Sequence, residues 1–130
     1  MAKILVVDDE QPIVQLMQFI LEKIGHEVSV AYNGAEMLEA LGVEPKNESA
    51  PLPDLILLDL MMPIMDGLTA CLRLRDDARA SKIPVVIVTA KGDMRSAFEK
   101  VPSVAAFFHK PFDPGALRVA VDKALASKKQ

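Results

Sequence analysis

The sequence predicts an α/β domain: a doubly wound, five-stranded parallel sheet with helices on both faces. Three observations predict it. Short β-branched apolar runs recur along the chain, amphipathic stretches separate them, and 130 residues suit one domain rather than two. Apolar residues make up 51% and charged residues 25%. That is the balance of an ordinary globular protein and excludes a disordered, collagen-like or coiled-coil chain.

Each element follows from local pattern. Ile4-Leu-Val-Val7 runs into Asp8-Asp9 and reads as a strand buried on both faces. Ile13, Met17, Ile20, Leu21 and Ile24 then recur at helical spacing, with Pro12 in the first turn and Gly25 as the stop. Glu27-Val-Ser-Val-Ala31 alternates and reads as an edge strand. Ala35 to Leu41 predicts a short helix ended by Gly42. Val43 to Pro53, with Pro45, Pro51 and Pro53, predicts an irregular loop, long for a helix-to-strand connection. Leu55-Ile-Leu-Leu58 is the third strand, and a helix carrying Leu68, Leu72 and Arg75 opens near Asp66-Gly67. Val85-Val-Ile-Val88 is the fourth strand. Gly92 to Lys100 predicts a fourth helix shortened by Pro102, and Ala105-Ala-Phe-Phe108 a shorter fifth strand. Leu117, Val121, Ala124 and Leu125 define the last helix, with Pro114 near its start. Right-handed crossovers narrow the topologies such a chain can adopt.

Fifteen basic and eighteen acidic residues give a net charge of −3. That balance argues against nucleic acid or an anionic membrane as the main partner. The single Cys71 excludes an internal disulfide and a cysteine zinc cluster, and it reads as a small buried apolar residue. Met1 to Val7 is too short for a secretory h-region, and no apolar stretch approaches the ~20 residues that span a bilayer. The expected compartment is the cytoplasm. His26 is expected at the surface, entering the second strand.

In parallel α/β sheets ligands bind beyond the carboxyl ends of the strands. The first strand is followed there by Asp8 and Asp9, the third by Asp59, the fourth by Thr89 and the fifth by Lys110. Singly, each has a plain structural role: Asp8-Asp9 as a helix cap, Asp59 in a turn, Thr89 in a strand, Lys110 as a solvated charge. Together they form one constellation. Clustered carboxylates repel until a proton or a cation joins them, and a hard divalent ion with oxygen ligands, Mg²⁺, suits the set. A carboxylate can attack phosphorus to form an aspartyl phosphate, and the developing charge then calls for a metal, a fixed cation and a hydroxyl donor. Asp59, alone at the end of a central strand, is the best nucleophile.

Four segments carry a family resemblance: Ile4 to Glu10, Pro53 to Gly67, Pro84 to Ala90 and Phe107 to Phe112. Together they resemble the receiver domains of two-component response regulators, across nearly the whole chain. The resemblance implies a flavodoxin-like strand order 2-1-3-4-5. It implies Asp59 as phosphoacceptor; Asp9, Asp59 and the backbone carbonyl of Met61 as Mg²⁺ ligands, with Asp8 acting through a water; and Thr89 as the switch hydroxyl. Lys110 would pair with the phosphoryl group, the Lys110-Pro111 peptide would be cis, and Phe107 would be the aromatic switch. Met61 and Lys91, each two residues past a site residue, would tune phosphoryl lifetime. Phe107 lacks the hydroxyl of the tyrosine often found there, and Ser103-Val104 replaces a small Gly-Ala pair. These departures bear on the expected output face of the fourth helix, fifth strand and fifth, last helix.

The expectation is therefore a stand-alone receiver over 1–127 with a short polar tail over 128–130. It would accept a phosphoryl group from a histidine kinase or histidine phosphotransfer protein and present a changed surface to a downstream protein, without acting as an enzyme on other substrates. A Mg²⁺-dependent phosphohydrolase would want an acid/base carboxylate where Met61 stands. A docking-only degenerate receiver would lack one of the polar residues, and a flavin module would want a hydroxyl-rich loop where Asp8-Asp9-Glu10 stand.

Overall fold

The computed structural model describes residues 2–89, 104–110 and 113–128. Strand β1 (Lys3–Val7) leads to α1 (Gln11–Lys23), β2 (Glu27–Ala31), α2 (Gly34–Ala40), β3 (Leu55–Leu58) and α3 (Gly67–Arg75). A 3₁₀ turn (Ala80–Lys82), β4 (Val85–Thr89), β5 (Val104–His109) and α4 (Pro114–Lys128) complete the order. All four strand pairs are parallel, and the sheet runs β2-β1-β3-β4-β5. The five expected strands and their order are thus present. The helix expected over 92–100 and the peptide expected to be cis at Lys110-Pro111 lie outside the described residues.

Strand alternation divides the core in two. Leu5, Val7, Ile56, Leu58, Val85 and Ile87 pack with Met37, Leu38, Ala70, Cys71 and Leu74 on the α2–α3 side. Ile4, Val6, Leu55, Leu57, Val86 and Val88 pack with Val14, Met17, Leu21, Leu117 and Val121 on the α1–α4 side. A central strand apolar on both faces is what such a sandwich requires, and β3 is fully buried along its length.

Local chemistry sets the helix ends. α2 is only seven residues long, and reciprocal bonds close its start. Asn33 Oδ1 accepts the Glu36 N–H at 2.9 Å, and Glu36 Oε1 accepts the Tyr32 N–H at 3.0 Å. α3 is capped by Asp66, whose Oδ1 accepts the Thr69 N–H at 2.7 Å. Gly67 opens α3 because a Cβ there would collide with the backbone oxygen of Asp59, so the helix starts tight against the end of β3. His26 departs from expectation: it is half-buried, and its Nδ1 accepts the Ala2 N–H at 3.0 Å, tying the start of β1 to β2.

Candidate functional site

Three polar residues stand one position beyond a strand, each with its N–H bonded to the last carbonyl of a neighbouring strand. The Asp8 N–H donates to Ala31 O at 3.1 Å, Asp59 to Val7 O at 2.9 Å and Lys110 to Thr89 O at 3.0 Å. Since the strands are parallel, their carboxyl ends share one sheet edge, and these bonds extend the ladder just far enough to fix where each side chain departs.

The side chains converge. Lys110 Nζ donates to Asp8 Oδ2 at 2.7 Å and to Glu10 Oε1 at 3.1 Å, and it lies 3.7 Å from Asp59 Oδ1. Asp8 is fully buried, Asp59 is 3% exposed, and Glu10 is the exposed member. The second oxygen of Asp8 is also used, accepting the Glu10 N–H at 3.0 Å.

Burial pushes the Asp59 carboxyl up to about 6, helped by the charge of Asp8 and, least, of Asp9; Lys110 and the Leu60 N–H pull the other way. Burial alone would lower the Lys110 ammonium. Its hydrogen bond to Asp8, the charges of Asp59 and Asp8 and the bond to Glu10 outweigh that and hold it above its usual value. The centre is therefore a proton-hungry carboxylate beside a firmly charged ammonium.

Thr89 is buried at the end of β4, beside this edge. Ile87 pairs with Phe107 and packs in the α2–α3 core, so alternation puts Thr89 and Phe107 on that same side of the sheet. Phe107 is half-buried against that core. Met61 is 61% exposed at the rim, and Asp9 is exposed.

Among the described residues, Asp8, Glu10 and Asp59 each offer a carboxylate oxygen within 4.8 Å of the others. Hard oxygen donors at that spacing fit a divalent cation such as Mg²⁺. Asp9 lies outside that trio. Glu10 carries no role in the sequence reading beyond its place in the matching motif. The signal that points to it is a third consecutive carboxylate at the same strand end.

The family model for the response regulator receiver domain matches residues 4–122. The chain belongs to that family. Receiver domains work with histidine kinases or phosphotransfer proteins and with downstream targets, and they typically bind Mg²⁺ at acidic residues. Protein PilH of Pseudomonas aeruginosa is 35% identical over 127 residues, covering 97% of this chain and 99% of PilH. The DNA-binding dual master transcriptional regulator RpaA of Synechocystis is 40% identical over 114 residues, covering 87% of this chain but 44% of RpaA. This chain likewise spans less than half the length of the matched PhoP of Bacillus subtilis and PleD of Caulobacter vibrioides. Among solved structures, the receiver domain of a signal transduction histidine kinase from Syntrophus aciditrophicus superposes with a TM-score of 0.81 at 30% identity, covering 98% of this receiver and 92% of that chain. A CheY-like receiver domain protein from Methanospirillum hungatei gives 0.80 at 26% identity, with 98% and 95% covered.

Proposed function

We propose that this receiver accepts a phosphoryl group on Asp59 from a histidine kinase or histidine phosphotransfer protein, in a Mg²⁺-dependent reaction. The observation that carries the reading is a nearly buried Asp59 carboxylate with the Lys110 ammonium 3.7 Å away. An Asp59 oxygen attacks phosphorus, forming the O–P bond as the donor's N–P bond breaks and the imidazole leaves. Lys110 offsets charge on the phosphoryl oxygens, and the Thr89 hydroxyl donates to one of them. Asp9, Asp59 and the Met61 carbonyl would hold Mg²⁺, with Asp8 acting through a water, and the ion would supply positive charge against the phosphoryl oxygens. Movement of Thr89 and a rotamer change of Phe107 carry the change of state to the surface.

The target surface in this reading is the face of β5 and α4 together with the segment 92–100, which lies outside the described residues, and a downstream protein binds there without direct contact to nucleic acid. The reading takes residues 1–127 as a stand-alone receiver in the cytoplasm; PilH, which matches over 99% of its own length, is a relative of the same extent. Among the described residues no helix is long and apolar enough to cross a membrane. Met61 and Lys91 tune the lifetime of the phosphoryl group; Lys91 lies outside the described residues.

Treatment with a small phosphodonor and Mg²⁺, followed by intact-mass measurement, tests the proposal. One added phosphoryl group is expected, lost without Mg²⁺ and lost in Asp59→Ala. An undiminished adduct in Asp59→Ala moves the acceptor elsewhere.

A further inference from the structure

The Lys110 ammonium is not centred on Asp59. Its hydrogen bonds go to Asp8 Oδ2 at 2.7 Å and Glu10 Oε1 at 3.1 Å, while Asp59 Oδ1 stands at 3.7 Å. Glu10 is also the N-cap residue of α1, yet its side chain makes no cap bond, and the first turn of α1 carries no acidic residue. A carboxylate at that position has ready partners in the unpaired N–H groups of the helix. Here it turns to Lys110 instead, while its own N–H holds the other oxygen of Asp8 at 3.0 Å.

We infer that Glu10 is a positioning residue that draws the Lys110 ammonium toward Asp8 and away from Asp59, so that a phosphoryl group on Asp59 must compete with Glu10 for it. This rests on the phosphoacceptor reading and deepens it. The Lys110 backbone is pinned to Thr89 O at 3.0 Å, so the ammonium shifts by side-chain rotation between the two arrangements. Glu10 is 59% exposed against 8% for Lys110, so its hold is partly solvated, weak and sensitive to salt. When Lys110 leaves, the Glu10 carboxylate is released to cap α1, which couples the state of Asp59 to the start of that helix.

The test is binding of beryllofluoride, a phosphoryl mimic, with saturating Mg²⁺ by calorimetry. Glu10→Gln, which keeps size and hydrogen bonding but removes charge, is expected to bind about two- to fivefold tighter than wild type, the range of a partly exposed ion pair. That gap closes as salt is raised. Glu10→Asp keeps the charge but is one methylene shorter, and it is expected to gain affinity as Glu10→Gln does. Equal affinity of Glu10→Gln and wild type at low salt overturns the inference. So does a gain confined to Glu10→Gln, which makes net charge the cause, or a tenfold loss of Mg²⁺ affinity in Glu10→Gln, which makes Glu10 a metal ligand. Failure of wild type itself to bind the mimic overturns the phosphoacceptor reading beneath it.

Discussion

Ionising Asp59 is opposed by burial and by the neighbouring Asp8, and that opposition has a measurable sign. Its carboxyl is raised from 3.8 to about 6, so the folded chain binds this proton more tightly than the unfolded chain. Stability from this group is full below about 3.8 and is lost as pH rises through about 6. Asp59→Asn removes the effect. In metal-free buffer we expect the variant to melt several degrees above wild type at pH 7.5, roughly 1–3 kcal/mol, with the gap shrinking toward pH 4. A gap independent of pH, followed by calorimetry, contradicts the assignment. At this scale the sequence was legible where residue type and strand end coincide, as at Asp8, Asp59, Thr89 and Lys110. It was silent where conformation decides. Glu10 follows two aspartates and looks like a solvated charge until Lys110 is seen beside it. Ile64 holds φ +69° at 84% exposure, a left-handed conformation for a β-branched residue that no side-chain pattern announces.

Among the elements, the loop over 43–53 shows what pattern reading leaves out. Its prolines foretold irregular backbone but not what orders it. Asp77 Oδ1 accepts the N–H groups of Arg79 and Ala80, both at 2.9 Å, and so sets the turn from which Arg79 departs. The Arg79 guanidinium then donates to Ala50 O at 2.6 Å and Asn47 O at 3.2 Å, and Arg73 pairs with Glu44 at 2.6 Å. These partners lie about thirty residues apart in sequence, with no local signal linking them. Arg79→Ala is expected to cost about 1–3 kcal/mol by leaving carbonyls without a donor, and to speed amide exchange across 43–53 while the sheet stays protected. Arg79→Lys recovers little, because a point charge cannot replace the fork. Unchanged exchange in that loop, measured by mass spectrometry, contradicts the clamp. Helix ends were more legible: Gly25 and Gly42 both follow a helix with positive φ, as their positions after apolar periodicity foretold.

For the whole molecule, topology turns remote sequence into chemistry. Asp8 and Lys110 are 102 residues apart and make a 2.7 Å contact, because β1 and β5 run parallel and end on one edge. Five apolar runs separated by helices were enough to foretell that sheet, since right-handed crossovers leave few alternatives, and the resemblance supplied its order. Sequence could foretell that these groups meet, but not their spacing, which depends on which carboxylate the ammonium sits against. Every role proposed for these groups depends on Asp59 as the residue that carries the phosphoryl group. Reducing the phosphodonor-treated protein with borohydride converts an acyl phosphate to the alcohol, and peptide sequencing by mass spectrometry then locates it. Homoserine at position 59, absent without phosphodonor, is the result the account predicts; homoserine at position 8 or 9 instead contradicts it.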